Sequence, residues 1–125
     1  MTGFVFVERP EEYCDAAAQI VRIPTGIRSK RTLLAVLADK LQFPRYFGWN
    51  WDALHDCLTD AVASASGAVV IVHPDLPFGA GSELRRIYLA LLRDVADRSD
   101  LGDRLRAVFA VRDEAAVREA ASGPR

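Results

Sequence analysis

The sequence has no apolar run of membrane length. Its longest strongly apolar stretch, Ala68 to Val72, is far shorter than the roughly 20 residues a spanning helix needs, and Met1 to Pro10 has neither the basic start nor the apolar segment of a signal peptide. No membrane partner and a cytoplasmic location are therefore expected. Cysteine is scarce: Cys14 and Cys57 are the only two. They suit reduced thiols and provide no Cys/His spacing for a metal, so neither a disulfide nor a bound metal is expected. Repeats, low-complexity tracts, Gly-rich phosphate loops and nucleophile motifs are also missing, which points away from an enzyme and from a cofactor.

Positive charge is missing from one interval. No Lys or Arg occurs between Arg45 and Arg85, a segment that carries Asp52, Asp56, Asp60, Asp75 and Glu83. Just before it, Arg22, Arg28, Lys30, Arg31, Lys40 and Arg45 stand against a single acid, Asp39. The net charge of −1 thus conceals a segregation along the chain. An acidic segment folded onto one surface prefers a cationic protein partner and repels nucleic acid. The basic segment shows no aromatic stacking platform for RNA and reads as a solvated helix face.

What is present is enough for a core. With 125 residues, half of them hydrophobic, residues 1–125 are expected to form a single domain. Gly3 to Val7 reads as a strand, and Pro10 can open a short helix with Tyr13, Ala16 and Ala17 at helical spacing. Gln19 to Ile23 is a second strand, closed by a turn at Pro24-Thr-Gly26. Ser29 caps a helix from Lys30 to about Gln42, whose apolar stripe is Leu33, Leu34, Leu37 and Leu41, and Pro44 stops it. Phe43 to Trp49 is then an ordered but irregular loop, extended before the proline and with Gly48 available for a positive φ.

Asn50 caps a helix from Trp51 to about Ala63. Ala68 to Val72 is a β-branched run of the kind buried on both faces of a sheet, with His73 as a hydrogen-bonded residue at its end. Ser82 caps a helix to about Asp97 that buries Leu84, Ile87, Tyr88, Leu91 and Val95. Arg106 to Val111 is another strand, and Asp113 caps a terminal helix through Ala120. Strands alternating with helices imply an α/β domain with a mostly parallel sheet.

The segment Phe43 to Asp60 concentrates the chemistry. Trp51, Leu54, Leu58 and Ala61 share one helix face, Asp52, Asp56 and Thr59 lie opposite, and Asp60 sits to one side. Asp52 and Asp56 repel each other by about 0.2–0.5 kcal/mol. Asp52 recovers roughly 0.3–1 kcal/mol from the free N–H groups of the first turn. A solvated helix face would carry the same acids, but Tyr46, Phe47, Trp49 and Trp51 cannot all be core residues of so short a loop. Exposed aromatics beside clustered acids are the composition of a protein interface.

The order proline, aromatic pair, Gly, Asn, then Asp-Ala-Leu-x-Asp-Cys-Leu-Thr over Phe43 to Asp60 resembles the signature of the barstar family, bacterial inhibitors of small ribonucleases. A weaker match runs from about Val21 to Val111. Residues 1–18 and 112–125 then stand as N- and C-terminal extensions. The resemblance implies a small parallel three-stranded sheet packed with helices, to which Gly3 to Val7 would add a strand, and a function of plugging a ribonuclease active site. It implies that Asp56 enters the enzyme's phosphate-binding pocket in place of a phosphate, that Asp52 makes a second charged contact, and that Tyr46 packs on the catalytic histidine. Asn50, Trp51, His55, Thr59 and Asp60 would surround them, with Asp94 at the periphery.

His55 stands where the best-known inhibitor of the family has tryptophan, which leaves a basic protein other than a ribonuclease as the alternative partner of an adaptor with this fold. A third reading takes Asp52, His55 and Asp56 as metal ligands or an acid–base pair. One helix supplies no second wall for such a pocket, so the expected role of these residues is binding without catalysis.

Overall fold

The structure, a computed structural model, describes residues 3–123. The outermost residues of the two expected extensions, Met1, Thr2, Pro124 and Arg125, lie outside that range. Four strands are formed among the described residues: β1 (Phe4–Val7), β2 (Gln19–Arg22), β3 (Val69–His73) and β4 (Leu105–Ala110). The helices are α1 (Lys30–Lys40), α2 (Trp51–Ser64), α3 (Glu83–Ala96) and α4 (Glu114–Ala121). All neighbouring strands are parallel, in the order β1-β4-β3-β2. The α/β class and the extra N-terminal strand are as expected from the sequence.

The topology decides which face receives the helices. From β2 to β3 to β4 the chain steps always in the same direction across the sheet, and right-handed crossovers in one direction put their helices on one side. Strand alternation shows this directly. Phe4, Phe6, Val21, Val69, Ile71, Leu105, Ala107 and Phe109 join the main core with residues of all four helices. The residues between them, Val70, Val72 and Val108 with Val5, Val7 and Ile20, form a second apolar layer that no helix residue enters.

The second layer is covered by the chain between β1 and β2. Here the sequence expectation of a helix fails. Pro10–Glu12 makes a single 3-10 turn, after which Tyr13 and Ala18 lie against the sheet. Arginines claim the carbonyls that a helix would have used: Arg22 donates to the Glu11 and Tyr13 carbonyl oxygens. Arg106 donates to the Tyr13 hydroxyl at 2.9 Å and to Asp15 at 3.0 Å. The Arg106 guanidinium, then the Ala17 N–H, hold the Asp15 carboxyl below the usual carboxylate range. β3 is fully buried along its length, as its composition requires.

Helix boundaries follow local chemistry. α1 stops at Lys40, short of the expected Gln42, because Gln42 enters the left-handed region (φ 53) and the Gln42 and Phe43 N–H groups donate back to the Asp39 and Ala38 carbonyls. That is a Schellman closure, completed before Pro44 is reached. On α3, Leu84 and Ile87 are only half-buried, while Tyr88, Leu89, Leu91, Leu92 and Val95 are fully covered. The helix is enclosed by α2, α4 and β4, so its buried sector is wider than a single stripe. α4 follows directly from a 3-10 turn, Val111–Asp113. Asp113 already has helical φ and ψ there and makes no side-chain cap, against expectation.

Candidate functional site

The loop and helix from Phe43 to Asp60 are fixed by one anchor at each end. Phe47 is buried, its ring 5.1 Å from Phe43 and 5.3 Å from Trp49, and its N–H donates to the Pro44 carbonyl. Asn50 then caps α2: its Oδ1 accepts from the Ala53 N–H at 2.8 Å, and its amide donates to the Gly48 carbonyl at 3.3 Å. The positive φ falls on Trp49 (φ 57), not on Gly48. Glycine at 48 instead leaves room for the cap: a Cβ there would stand a tight 3.3 Å from the Asn50 amide nitrogen and at contact distance, 3.5 Å, from the Ala53 Cβ. Its lack of a side chain eases the close approach of the loop to its own helix cap.

α2 rests on the core through Leu54, Cys57, Leu58 and Val62. Burial pushes the Cys57 thiol pKa up, and the Asp60 and Asp56 charges add to that, so the residue is a packing thiol and not a ready thiolate. Trp51 is half-buried, 6.4 Å from the Phe78 ring and 6.5 Å from the Tyr88 ring. Tyr88 in turn donates its hydroxyl to Nε2 of the buried His73 at 2.7 Å, while Nδ1 of His73 donates to the Val108 carbonyl at 3.2 Å. His73 is thus a satisfied residue at a strand end, stacked on Phe109 with ring centroids 4.5 Å apart. Burial depresses its pKa to about 4 and raises that of Tyr88. The pair is neutral and forms the floor beneath the start of α2.

On the outer side, Asp52, Asp56 and Asp60 are all exposed. Tyr46, His55, Asp56, Thr59 and Asp60 come together around an open hollow of about 500 Å³. Tyr46 is 80% exposed, an unusual state for a large aromatic held on an ordered loop. Asn50, Trp51, Asp52 and Asp94 do not line the hollow. Asn50 is committed to the helix cap and Trp51 to the floor. Asp94, on α3, lies beside Arg93 at 3.1 Å. The Thr59 hydroxyl turns back on its own helix and donates to the His55 carbonyl at 2.7 Å.

Arg98 also lines the hollow, and sequence reasoning did not foresee it. It follows the end of α3, and only the packing of α3 against α2 brings it opposite Asp56 and Asp60. Asp100 grips its guanidinium through two bonds of 3.0 and 2.9 Å. That fork neutralises the cation locally and leaves the hollow with the charge of its own acids. Among the described residues no group of three or more His, Cys, Asp or Glu side chains could hold a metal ion, and no helix is long and apolar enough to cross a membrane.

The hollow is therefore a shallow acidic surface with an exposed tyrosine at its rim. Its carboxylates can accept charge-assisted hydrogen bonds from Arg, Lys or protonated His side chains. A family model described as Barstar (barnase inhibitor) matches residues 18–116. No curated protein and no solved structure matches the chain.

Proposed function

The chain belongs to the barstar family, and from that premise we propose that it is a protein inhibitor that binds a bacterial ribonuclease and blocks its active site with α2 and the aromatic loop before it. Members of this family are inhibitors and not enzymes. The observation that carries the reading is the placing of Asp56: an exposed carboxylate in the acidic hollow, on a helix that is capped at its start and buried along its inner face. A ribonuclease must hold a phosphate diester with cationic side chains. A carboxylate on a rigid helix offers those side chains similar bidentate partners without an ordering cost. Asp52 and Asp60 extend the negative field and accelerate encounter with a basic surface. Tyr46 supplies apolar contact area at low entropic cost, and His55 sets a polar spot beside Asp56.

The test is titration of a barnase-type ribonuclease with the purified protein, which is expected to suppress RNA cleavage near a one-to-one ratio. Asp56→Ala is expected to weaken inhibition by a hundredfold or more, because it leaves enzyme cations buried without a partner at roughly 3–5 kcal/mol. Its unfolding midpoint should stay that of the parent, since Asp56 is exposed. Undiminished inhibition by both Asp56→Ala and Asp52→Ala would remove the assignment of the interface. Asp56-dependent capture of a basic protein with no ribonuclease activity would instead favour the adaptor reading.

A further inference from the structure

The start of α2, the helix that carries the acids of the hollow, is met by side chains of opposite sign. Arg28, Lys30 and Arg31 stand at the start of α1, and none of the three makes an ion pair with a described residue. Asp75, the acid that reaches this segment, accepts from the Gly26 N–H instead. Two of the cations rest on the interface aromatics. The Arg31 guanidinium carbon lies 4.6 Å from the centroid of the Trp49 ring, and Lys30 Nζ lies 5.9 Å from that of Trp51. The basic segment, which lacks an aromatic platform of its own, thus borrows one from the loop and the first residue of α2, 18 or more residues later.

We infer that Arg28, Lys30 and Arg31, the last two backed by Trp51 and Trp49, are a cationic flank of the same interface and take carboxylate side chains from an acidic patch on the protein partner. The inference rests on the reading of the hollow as a protein-binding surface. A guanidinium stacked on an indole keeps its in-plane N–H donors free at the edge, and that fork fits a carboxylate bidentately. The stack also orders the side chain beforehand, which lowers the cost of engaging it. Trp49 remains 38% exposed, and its ring packs 5.3 Å from that of the buried Phe47 while Arg31 lies over it.

Two features favour carboxylates over nucleic acid. The indole faces that would stack bases already carry the cations, and Asp52 follows Trp51 in the first turn of α2 with Asp56 one turn further on, where they repel a phosphate backbone. The interface is then bipolar, selecting a partner whose cationic site lies beside acidic residues and fixing the orientation of docking.

The experiment follows the indole N–H signals of Trp49 and Trp51 and the Arg31 Nε–H signal of the full chain by nitrogen-15 NMR, during titration with octaglutamate and, separately, octauridylate. Saturable shifts of these signals by octaglutamate are expected. The Arg28→Gln/Arg31→Gln variant should weaken that binding about tenfold, the loss of one or two charge-assisted hydrogen bonds at an exposed site. Arg86→Gln, which removes another exposed arginine, should leave it unchanged. Absence of shifts at these positions, equal binding by the double variant, or tighter binding of octauridylate at the same signals overturns the proposal. Because neither probe is a ribonuclease, the titration tests this flank separately from ribonuclease inhibition: a protein that inhibits no ribonuclease would still bind octaglutamate here or fail to.

Discussion

His73 shows how a single buried residue can tie the site to pH. Its pKa is near 6.5 in the unfolded chain and about 4 in the folded one, where burial penalises the cation. Between those values the unfolded chain binds a proton that the native protein refuses, so stability is complete above pH 6.5 and falls as the pH drops towards 4. From pH 7.5 to pH 5 the loss should be about 2 kcal/mol. Urea unfolding at the two pH values measures it, and His73→Gln should shrink the difference. An undiminished drop in that variant would place the titrating group elsewhere. The neighbour on the sequence, Pro74, made an end-of-strand role legible for His73. Its partner Tyr88 was not, because a hydrogen bond between residues 15 apart depends on how α3 settles on the sheet. Arg98 was hidden for the same reason: nothing in its local sequence distinguishes it from any surface arginine.

At the scale of elements, the helix starts were written in the sequence and the shape of the loop was not. Ser29, Asn50 and Ser82 each accept from a backbone N–H of the first turn, as their residue types demand. Asp113 has the same capping chemistry and does not cap, since the 3-10 turn before it fixes helical geometry first. In the loop, the identity of Gly48 suggested a positive φ, whereas the glycine eases a close approach to Asn50 and Ala53 and the left-handed residue is Trp49. Asn50 therefore positions the first turn of α2. Asn50→Ala should cost about 1 kcal/mol of stability and speed amide hydrogen exchange at Asp52 and Ala53. Asn50→Asp, which retains an oxygen acceptor, should restore most of the protection. Equal exchange in Asn50→Ala and the parent would mean that the loop packing alone holds the first turn.

For the whole molecule, the family match begins at residue 18, so it leaves out the strap that covers one face of the sheet. The four-strand order could not be read from spacing, because β1 pairs with a strand far along the chain, Phe4 opposite Ala107. What the sequence did carry was a β3 run apolar at every position, which demanded cover on both faces. Helices reached by successive same-direction crossovers can supply only one of them. The segment from β1 to Ala18 supplies the other, held by Arg22, Arg106 and Asp15. Deleting residues 1–18 should expose Val70, Val72, Val108 and Ile20 together with the unpaired edge of β4. Two consequences follow for the truncated chain: binding of an apolar dye at neutral pH, and concentration-dependent self-association by sedimentation, because a bare apolar face beside an open strand edge is a template for pairing. Arg106→Ala in the intact chain should show the milder effect of faster hydrogen exchange in residues 13–18. If the truncated chain stays monomeric and dye-free while retaining the parent's unfolding midpoint, the strap contributes nothing to the fold and its contacts with Arg106 are incidental.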